Sequence, residues 1–483
     1  MTEDLTFVKE LTRMSVDFDR WYTEVVRKAE LADYTPVRGC MVIRPYGYAI
    51  WEAIQRAFDD LIKSSGHENW YFPLLIPEEL LVQEAEHVEG FVPEVAWVTE
   101  AGSHGKLDQR LAIRPTSETI IGTLVRRYIQ SYRDLPILTN QWANVLRWEL
   151  RTRLFLRTAE FLWQEGHTFH VTAQEAEDEV ALIHEYYRQI AEDWLAMPVI
   201  GGTKSPAETF PGAVYSKSIE AMMRDGLALQ AGTSHYLGQN FARAYDIGFA
   251  NQQNARDFCH TTSWGISTRL IGGLIMAHGD DTGLVMPPRV APIQVVVVPI
   301  ARNDEARAEV RAFVDGWLPE VRGAGLRVHV DWRDLRPGDK YNHWELKGVP
   351  LRLDVGLRDV AAQQVVLVDR LTREKVPTPV TGLASRLREA VDAFQRALFS
   401  RALDFRAENT FEVSTLDALL EHFRERNGFV WAPWCGDAAC EAKVKELTGG
   451  VTTRNFDPDE KASGACVVCG RPAVQRVVFA RAY

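Results

Sequence analysis

Apolar residues recur along this chain at two periods, and the alternation between them sets out its elements. Residues 9–31 carry apolar positions at helical spacing and predict an amphipathic helix. The stretch PVRGCMVIRPYGYAIWEAIQRAFDDLI starts as an apolar strand and breaks at Pro45 and Gly47. It resumes as a helix with Ile50, Ile54, Phe58 and Leu61 on one face. LAIRPTSETIIG, from Leu111 to Gly122, reads as strand, turn and helix start, with Ser117 placed to accept a capping bond. Asn140 to Phe169 reads as two strands joined by an arginine-rich loop. Strand alternation puts Arg147 and Glu149 on one face and Leu146, Trp148 and Leu150 on the other. Trp163, Glu165 and His167 share a face of the return strand. A plain amphipathic helix is expected near 173–196, then a strand with a kink at Gly232. TTSWGISTRLIGGLIM follows as a strand entering a helix, with Ser267 near the N-cap and Arg269 in its first turn.

Pro287, Pro288 and Pro292 mark a boundary. Beyond it, IQVVVVPI and an alternation of helices and strands predict an α/β unit with a largely parallel sheet. A long helix, Leu383 to Phe405, leads to a cysteine-bearing end. The expected units are residues 1–287, 288–403 and 404–483, and the overall class is α/β. Composition is that of a soluble globular protein: 46% hydrophobic and 25% charged. The N-terminus has no apolar core of signal length, and the run around Val295–Val298 is too short to span a bilayer. A cytoplasmic protein with no membrane partner is expected. The net charge of −11 changes little, because a nucleic-acid partner needs only a local basic surface. Positive charge gathers toward the C-terminal half, with eleven Lys and Arg against eight Asp and Glu from Arg322 to Lys375.

The candidate chemistry is anionic recognition. A fixed guanidinium, a carboxylate and a second arginine on a turn (Arg151, Arg153 or Arg157) suit a triphosphate and its base. Arg269, at a helix start within an apolar stretch, adds an anion site. At the C-terminal end, Cys435, Cys440, Cys466 and Cys469 are spaced C-x4-C, twenty-five residues, then C-x2-C. Four thiolates in two knuckles suit a tetrahedral structural zinc. Cys40 and Cys259 have no such partners and read as small buried residues.

VLRWE, the arginine-rich loop and FLWQEGHT resemble motif 2 of class II aminoacyl-tRNA synthetases, in the form of prolyl-tRNA synthetases of the archaeal/eukaryotic-like type. The likeness runs nearly end to end: motif 1 at about 37–62, motif 2 at about 140–169 and motif 3 at about 261–289. It implies an α+β core with an antiparallel sheet, an α/β anticodon-binding domain and a small α+β zinc domain. It implies ATP and Mg2+, structural Zn2+, tRNA(Pro), L-proline, and a homodimer through motif 1. Proline would be held by Thr116, Glu118, Arg147, Trp163, Glu165, His167 and His235. ATP would be held by Arg147, Glu149, Arg157, Gln230, Thr233, Ser267 and Arg269, with Arg147 and Arg269 catalytic. Lys204 and Lys217, on a loop resembling one near the substrate, are candidate phosphate contacts. Glu345, Lys347 and Arg352 would face the anticodon. The metal ligands would be the four cysteines.

The implied reaction is activation of proline as an adenylate, then transfer to the tRNA 3′ end. The bacterial type carries a hydrolytic insertion between motifs 2 and 3. No room for one is expected here, nor a further domain before Met1 or after the zinc unit, so no editing in cis. A second synthetase of the class is one alternative; a threonyl enzyme would place a metal on Cys and His, and no such cluster is evident. A catalytically dead paralogue is the other; it should have lost Arg147 or Arg269, and both are present. The chain ends in Tyr483, whose role stays open.

Overall fold

The computed structural model describes residues 11–87 and 95–483. Its centre is one sheet of eleven strands. From one edge the order is Thr410–Glu412, Phe429–Trp434, Gln475–Ala480, Thr452–Lys461, Val199–Thr203, Tyr215–Met222, Ala228–Gly238, His260–Ser267, Glu160–His170, Ile137–Leu146 and Glu68–Asn69. Every pairing is antiparallel except the two outermost, which are parallel. The helices Pro45–Ser64, Ala173–Gln189 and Arg269–His278 contribute Phe58, Tyr187 and Ile271 to the same buried cluster as the sheet's Trp264. Phe58 stacks on Tyr187 at 5.2 Å and meets Trp264 edge-on at 6.2 Å.

Several elements differ from the sequence reading, each for a local reason. The first described helix runs only from Phe18 to Lys28, because the Asp17 side chain accepts from Arg20 N at 2.9 Å and caps it there. The start of the expected 9–31 helix, residues 9 and 10, lies outside the described residues. The Met41–Ile43 strand ends just before Pro45, as expected, but Gly47 does not interrupt the helix that follows. Pro45 is the first residue of the helix, where its missing N–H costs nothing. Gly47 lies in the first turn, where a Cβ would stand 2.3 Å from the Leu31 carbonyl oxygen. The expected 173–196 helix is α-helical to Gln189 and closes in a π turn over Ile190–Trp194.

The second unit has a five-stranded sheet ordered Val328–Val330, Val295–Ile300, Leu351–Gly356, Gln364–Asp369 and Lys375–Pro379. It is mixed rather than largely parallel. The first two pairings are parallel and the last two antiparallel, and KVPTP supplies a strand that its two prolines concealed. The cysteine-bearing end has its own buried cluster, including Trp434, Val444 and Phe479, yet its strands extend the central sheet. The junction is Phe456 opposite Thr203. Gly202 admits it, since a Cβ there would lie 2.7 Å from the Phe456 carbonyl oxygen. Among the described residues, no helix is long and apolar enough to cross a membrane.

Candidate active site

A cleft of about 340 Å³ opens on the central sheet. Thr116, Glu118, Arg147, Trp163, Glu165, His167, Gln230, Thr233, His235, Ser267 and Arg269 all line it, with Lys204. Its residues come from three adjacent strands, Ala228–Gly238, His260–Ser267 and Glu160–His170, the loop at 204–211, Arg147 past a strand end, the Glu118–Val125 helix start and the Arg269–His278 helix start. On the Glu160–His170 strand, Phe161, Trp163, Glu165 and His167 alternate onto the cleft face, as a period of two requires.

One end of the cleft is anionic. Glu118 is buried, and its Oε2 accepts from Thr116 Oγ1 at 2.5 Å. Glu165, 2% exposed, accepts from Ser117 Oγ at 2.6 Å, Gln141 Nε2 at 2.5 Å and pairs with His167 Nε2 at 3.1 Å. Ser117 therefore does not cap the helix with its side chain, as the sequence suggested; its hydroxyl turns to the more demanding buried carboxylate. Burial works against the Glu165 charge. The bond and charge of His167, with the two further donors, outweigh it, and the carboxyl stays below its ordinary range. Burial likewise opposes charge on His167, but Glu165 and Glu118 raise its pKa above 6.5.

That shift has a measurable sign. A histidine with a raised folded-state pKa contributes stability in full below about pH 6.5, and loses it as pH rises through the folded value. The melting-temperature gap between parent and His167→Gln should therefore narrow from about pH 6 to about pH 9. A gap that widens with pH contradicts the pairing. His235 behaves oppositely: burial pushes it down to about 3, so it is neutral, with Nδ1 2.7 Å from Ser216 Oγ.

The other end is cationic. The Ile137–Leu146 strand stops one residue short of Arg147, so Arg147 and Glu149 lie past its end rather than on a strand face. Arg147 Nε donates to the Pro115 carbonyl at 2.9 Å, and its guanidinium lies 5.3 Å from the Trp163 ring. It is walled by protein yet open to the cleft's water. Enclosure pulls its pKa down, but a guanidinium stays charged. Arg269, half-buried, donates from Nε to the Leu156 carbonyl at 3.1 Å. Neither arginine has a carboxylate within ion-pair distance among the described residues. Among the described residues, Lys204 Nζ donates to Gln230 Oε1 alone, at 2.8 Å.

Glu149 and Arg157 line an adjoining hollow of about 260 Å³ that shares Arg147 and Arg269 with the cleft. They bond to each other there, Arg157 Nε to Glu149 Oε2 at 2.5 Å. Tyr483 lines the same hollow, its hydroxyl donating to Asp225 and its ring 5.2 Å from the Arg153 guanidinium. Gln230 shares the cleft face with Thr233 and His235 because a bulge at Ala231 flips the parity of the strand. Phe161 was legible from the same alternation as Trp163. Phe210, tilted against His235 at 4.8 Å, was not, because it comes from an aperiodic loop. Lys217 does not line the cleft; its strand carries it to the opposite face from Ser216.

In the second unit a hollow of about 340 Å³ is lined by Tyr341, Glu345, Arg352, Arg370, Arg373 and Lys375 among others. Arg352 lies 3.9 Å from the Tyr341 ring, with its Nε on Asp354 Oδ1 at 2.9 Å. Lys347 is not brought to it. It pairs with Glu30 and lies over the Tyr46 ring at 4.8 Å, tying this unit to the first. Arg370, missed in the sequence, reinforces that tie with both nitrogens at 2.8 Å from Asp280.

The four cysteine Sγ atoms, Cys435, Cys440, Cys466 and Cys469, lie within 4.8 Å of one another. Cys435 stands 3.6 Å from both Cys440 and Cys469. A tetrahedron with Zn–S of about 2.3 Å has edges of about 3.8 Å, so the cluster fits that ion. Cys40 is half-buried and Cys259 buried, without thiol partners.

Residues 100–278 match the family model described as tRNA synthetase class II core domain (G, H, P, S and T). Residues 294–390 match the anticodon binding domain, and residues 416–483 match prolyl-tRNA synthetase, C-terminal. With the antiparallel sheet and its cleft, these place the protein among the class II aminoacyl-tRNA synthetases. The proline–tRNA ligase of Symbiobacterium thermophilum is 53% identical over 492 residues, covering 100% of both chains. Proline–tRNA ligase 2 of Clostridioides difficile is 50% identical, covering 99% of this chain and 98% of that one. A solved prolyl-tRNA synthetase of Cryptosporidium parvum, complexed with L-proline and AMP, superposes with a TM-score of 0.91 at 39% identity. It covers 99% of this chain and 100% of that one. The chain belongs to the prolyl-tRNA synthetase family.

Proposed function

We propose that this chain activates L-proline with ATP and transfers the prolyl group to the 3′ end of tRNA(Pro). The observation that carries the reading is the polarity of one cleft. Two guanidiniums, Arg147 and Arg269, with no acid partner among the described residues, stand at one end, and Glu118, Glu165 and His167 stand at the other. A zwitterionic amino acid beside a triphosphate suits that arrangement.

Glu118 and the Thr116 hydroxyl would face the proline ammonium, Trp163 and His235 would wall the ring, and Glu165 with His167 would hold the pocket's floor. Arg147 would hold the proline carboxylate and the α-phosphate, and Arg269 the γ-phosphate. Gln230, Thr233 and Ser267 would line the nucleotide's path. Glu149 would accept from the adenine amino group with Arg157 moving onto the phosphates. A proline carboxylate oxygen attacks the α-phosphorus, the bond to pyrophosphate breaks, and the tRNA hydroxyl later displaces AMP from the carbonyl. Positioning and charge stabilisation suffice, with no protein nucleophile. Magnesium would supply charge neutralisation on the phosphates. Near the phosphate end, Glu149 and Glu220 are already engaged by Arg157 and Arg454.

The proposed units are 1–287 for catalysis, 288–403 for the anticodon and 404–483 for structural zinc on Cys435, Cys440, Cys466 and Cys469. Glu345 and Arg352 are proposed to read anticodon bases; Lys347, engaged with Glu30, would serve the junction. A homodimer through residues 37–62 is supported by the exposed Val37, Val42 and Tyr48 on one segment. The compartment proposed is the cytoplasm. Charging of a tRNA(Pro) transcript with labelled proline tests the whole reading, and an uncharged transcript rejects it.

Alanine bears on the same pocket. A smaller ring-less substrate cannot be excluded sterically, and missing methylenes cost only about 1–3 kcal/mol, roughly 10- to 200-fold. Residues 171–259 are taken up by the 173–189 helix, three strands of the central sheet, the Asn240–Ala244 helix and one small strand pair. Alanine should be activated at that reduced efficiency, and preformed alanyl-tRNA(Pro) should decay at its spontaneous rate in the presence of the pure protein. Faster deacylation would reveal a hydrolytic site.

A further inference from the structure

Beside the cationic end of the cleft, Glu220 is a buried carboxylate set among three cations, Lys204, Arg269 and Arg454. It lies on the Tyr215–Met222 strand, 1% exposed, directly opposite Gln230, whose side chain holds Lys204. Arg454 comes from the C-terminal strand Thr452–Lys461 and is 6% exposed. Its Nη2 donates to both Glu220 oxygens at 3.0 Å, and its Nε donates to Oε2 at 3.2 Å. The neighbouring Asn455 fixes this strand in place. Its Nδ2 donates to the Ile200 and Ser218 carbonyls at 2.8 and 2.9 Å, and its Oδ1 accepts from Ser218 Oγ at 2.7 Å.

A carboxylate this deep must be paired. Were Arg454 absent, the cations left for it would be Lys204 and Arg269, both of which line the cleft. Their charges already sense the pair: burial lowers the pKa of each most, Glu220 opposes that, and Arg454 adds to it. We propose that Arg454 is a positioning residue for activation: by taking up the Glu220 carboxylate it leaves Lys204 and Arg269 free for the triphosphate. The C-terminal unit thus completes the electrostatics of the ATP site from 234 residues away in sequence. The inference rests on the activation reading above.

The test is ATP–pyrophosphate exchange with the full-length protein, measuring KM for ATP and for proline separately. Arg454→Met should raise KM for ATP about tenfold and leave KM for proline within twofold, because the proline end does not touch this pair. Adding Glu220→Gln to that variant removes the stray carboxylate and should bring KM for ATP back to within threefold of the parent. A merely structural pair predicts no such rescue. Should Arg454→Met fail to fold, Arg454→Lys carries the test: it keeps the charge, loses the fork, and should raise KM for ATP at least threefold. An unchanged KM for ATP, equal losses for both substrates, or a double variant as impaired as the single overturns the proposal. A parent without proline-dependent exchange overturns the activation reading itself, which separates the two failures.

Discussion

Replacing Arg147 or Arg269 with alanine is expected to abolish adenylate formation while leaving the melting temperature close to the parent's. In the proposed reaction each guanidinium would stand where charge develops on the phosphates, and loss of one such preorganised donor costs at least ~2 kcal/mol, and up to about a thousandfold in rate. Folding should be spared because, among the described residues, neither arginine pairs with a carboxylate. Their fixed bonds go to the Pro115 and Leu156 carbonyls, which water entering the cleft can satisfy. The two variants should differ in detail. Arg147→Ala should raise KM for both substrates, since it is proposed to hold both the proline carboxylate and the α-phosphate, and Arg269→Ala should act on ATP alone. Exchange at the parent rate in either variant would remove that arginine from the site.

The second large effect is expected at the four-cysteine cluster. Cysteine fills all four positions, so an ion held there would have no open coordination site and its role would be structural. Apparent binding energies of about 10–16 kcal/mol for structural zinc in small domains set the upper scale. Part of that would be withstood here, because Trp434, Val444, Val477 and Phe479 form a buried cluster beside the thiols. Elemental analysis should find about one zinc per chain in the parent. Cys440→Ser should lose the metal, lower the first melting transition and speed amide exchange between residues 429 and 480. Activation chemistry should persist but with weakened ATP binding, because the strand bearing Arg454 and Asn455 lies in the same unit. Parent protein purified without chelator and free of metal would contradict the assignment.

The site was largely legible in the sequence where it depends on a regular period. Trp163, Glu165 and His167 converge because a strand alternates, and Phe161 could have been added by the same rule. Thr116 and Glu118 sit together because only a serine separates them. What could not be read are contacts made between distant segments or against the local period. The bulge at Ala231 places Gln230 beside Thr233, which strict alternation forbids. Lys347 looked like an RNA contact, but its partner Glu30 is 317 residues away. The cysteine-bearing end read as an appendage, yet its strands continue the central sheet, a pairing set by Gly202 and Phe456 rather than by any hydrophobic pattern. The second sheet reads as largely parallel because prolines at 377 and 379 mask its last strand and the local pattern does not show that Gln364–Asp369 turns back antiparallel on Leu351–Gly356.

The central claim is that one cleft joins proline's ammonium end to ATP's phosphates. Proline-dependent ATP–pyrophosphate exchange, run across all the standard amino acids with purified protein, tests it most directly. The account predicts strong exchange with proline, exchange with alanine reduced roughly 10- to 200-fold, and none above background with threonine. Exchange that prefers another amino acid, or no exchange with any, would contradict it.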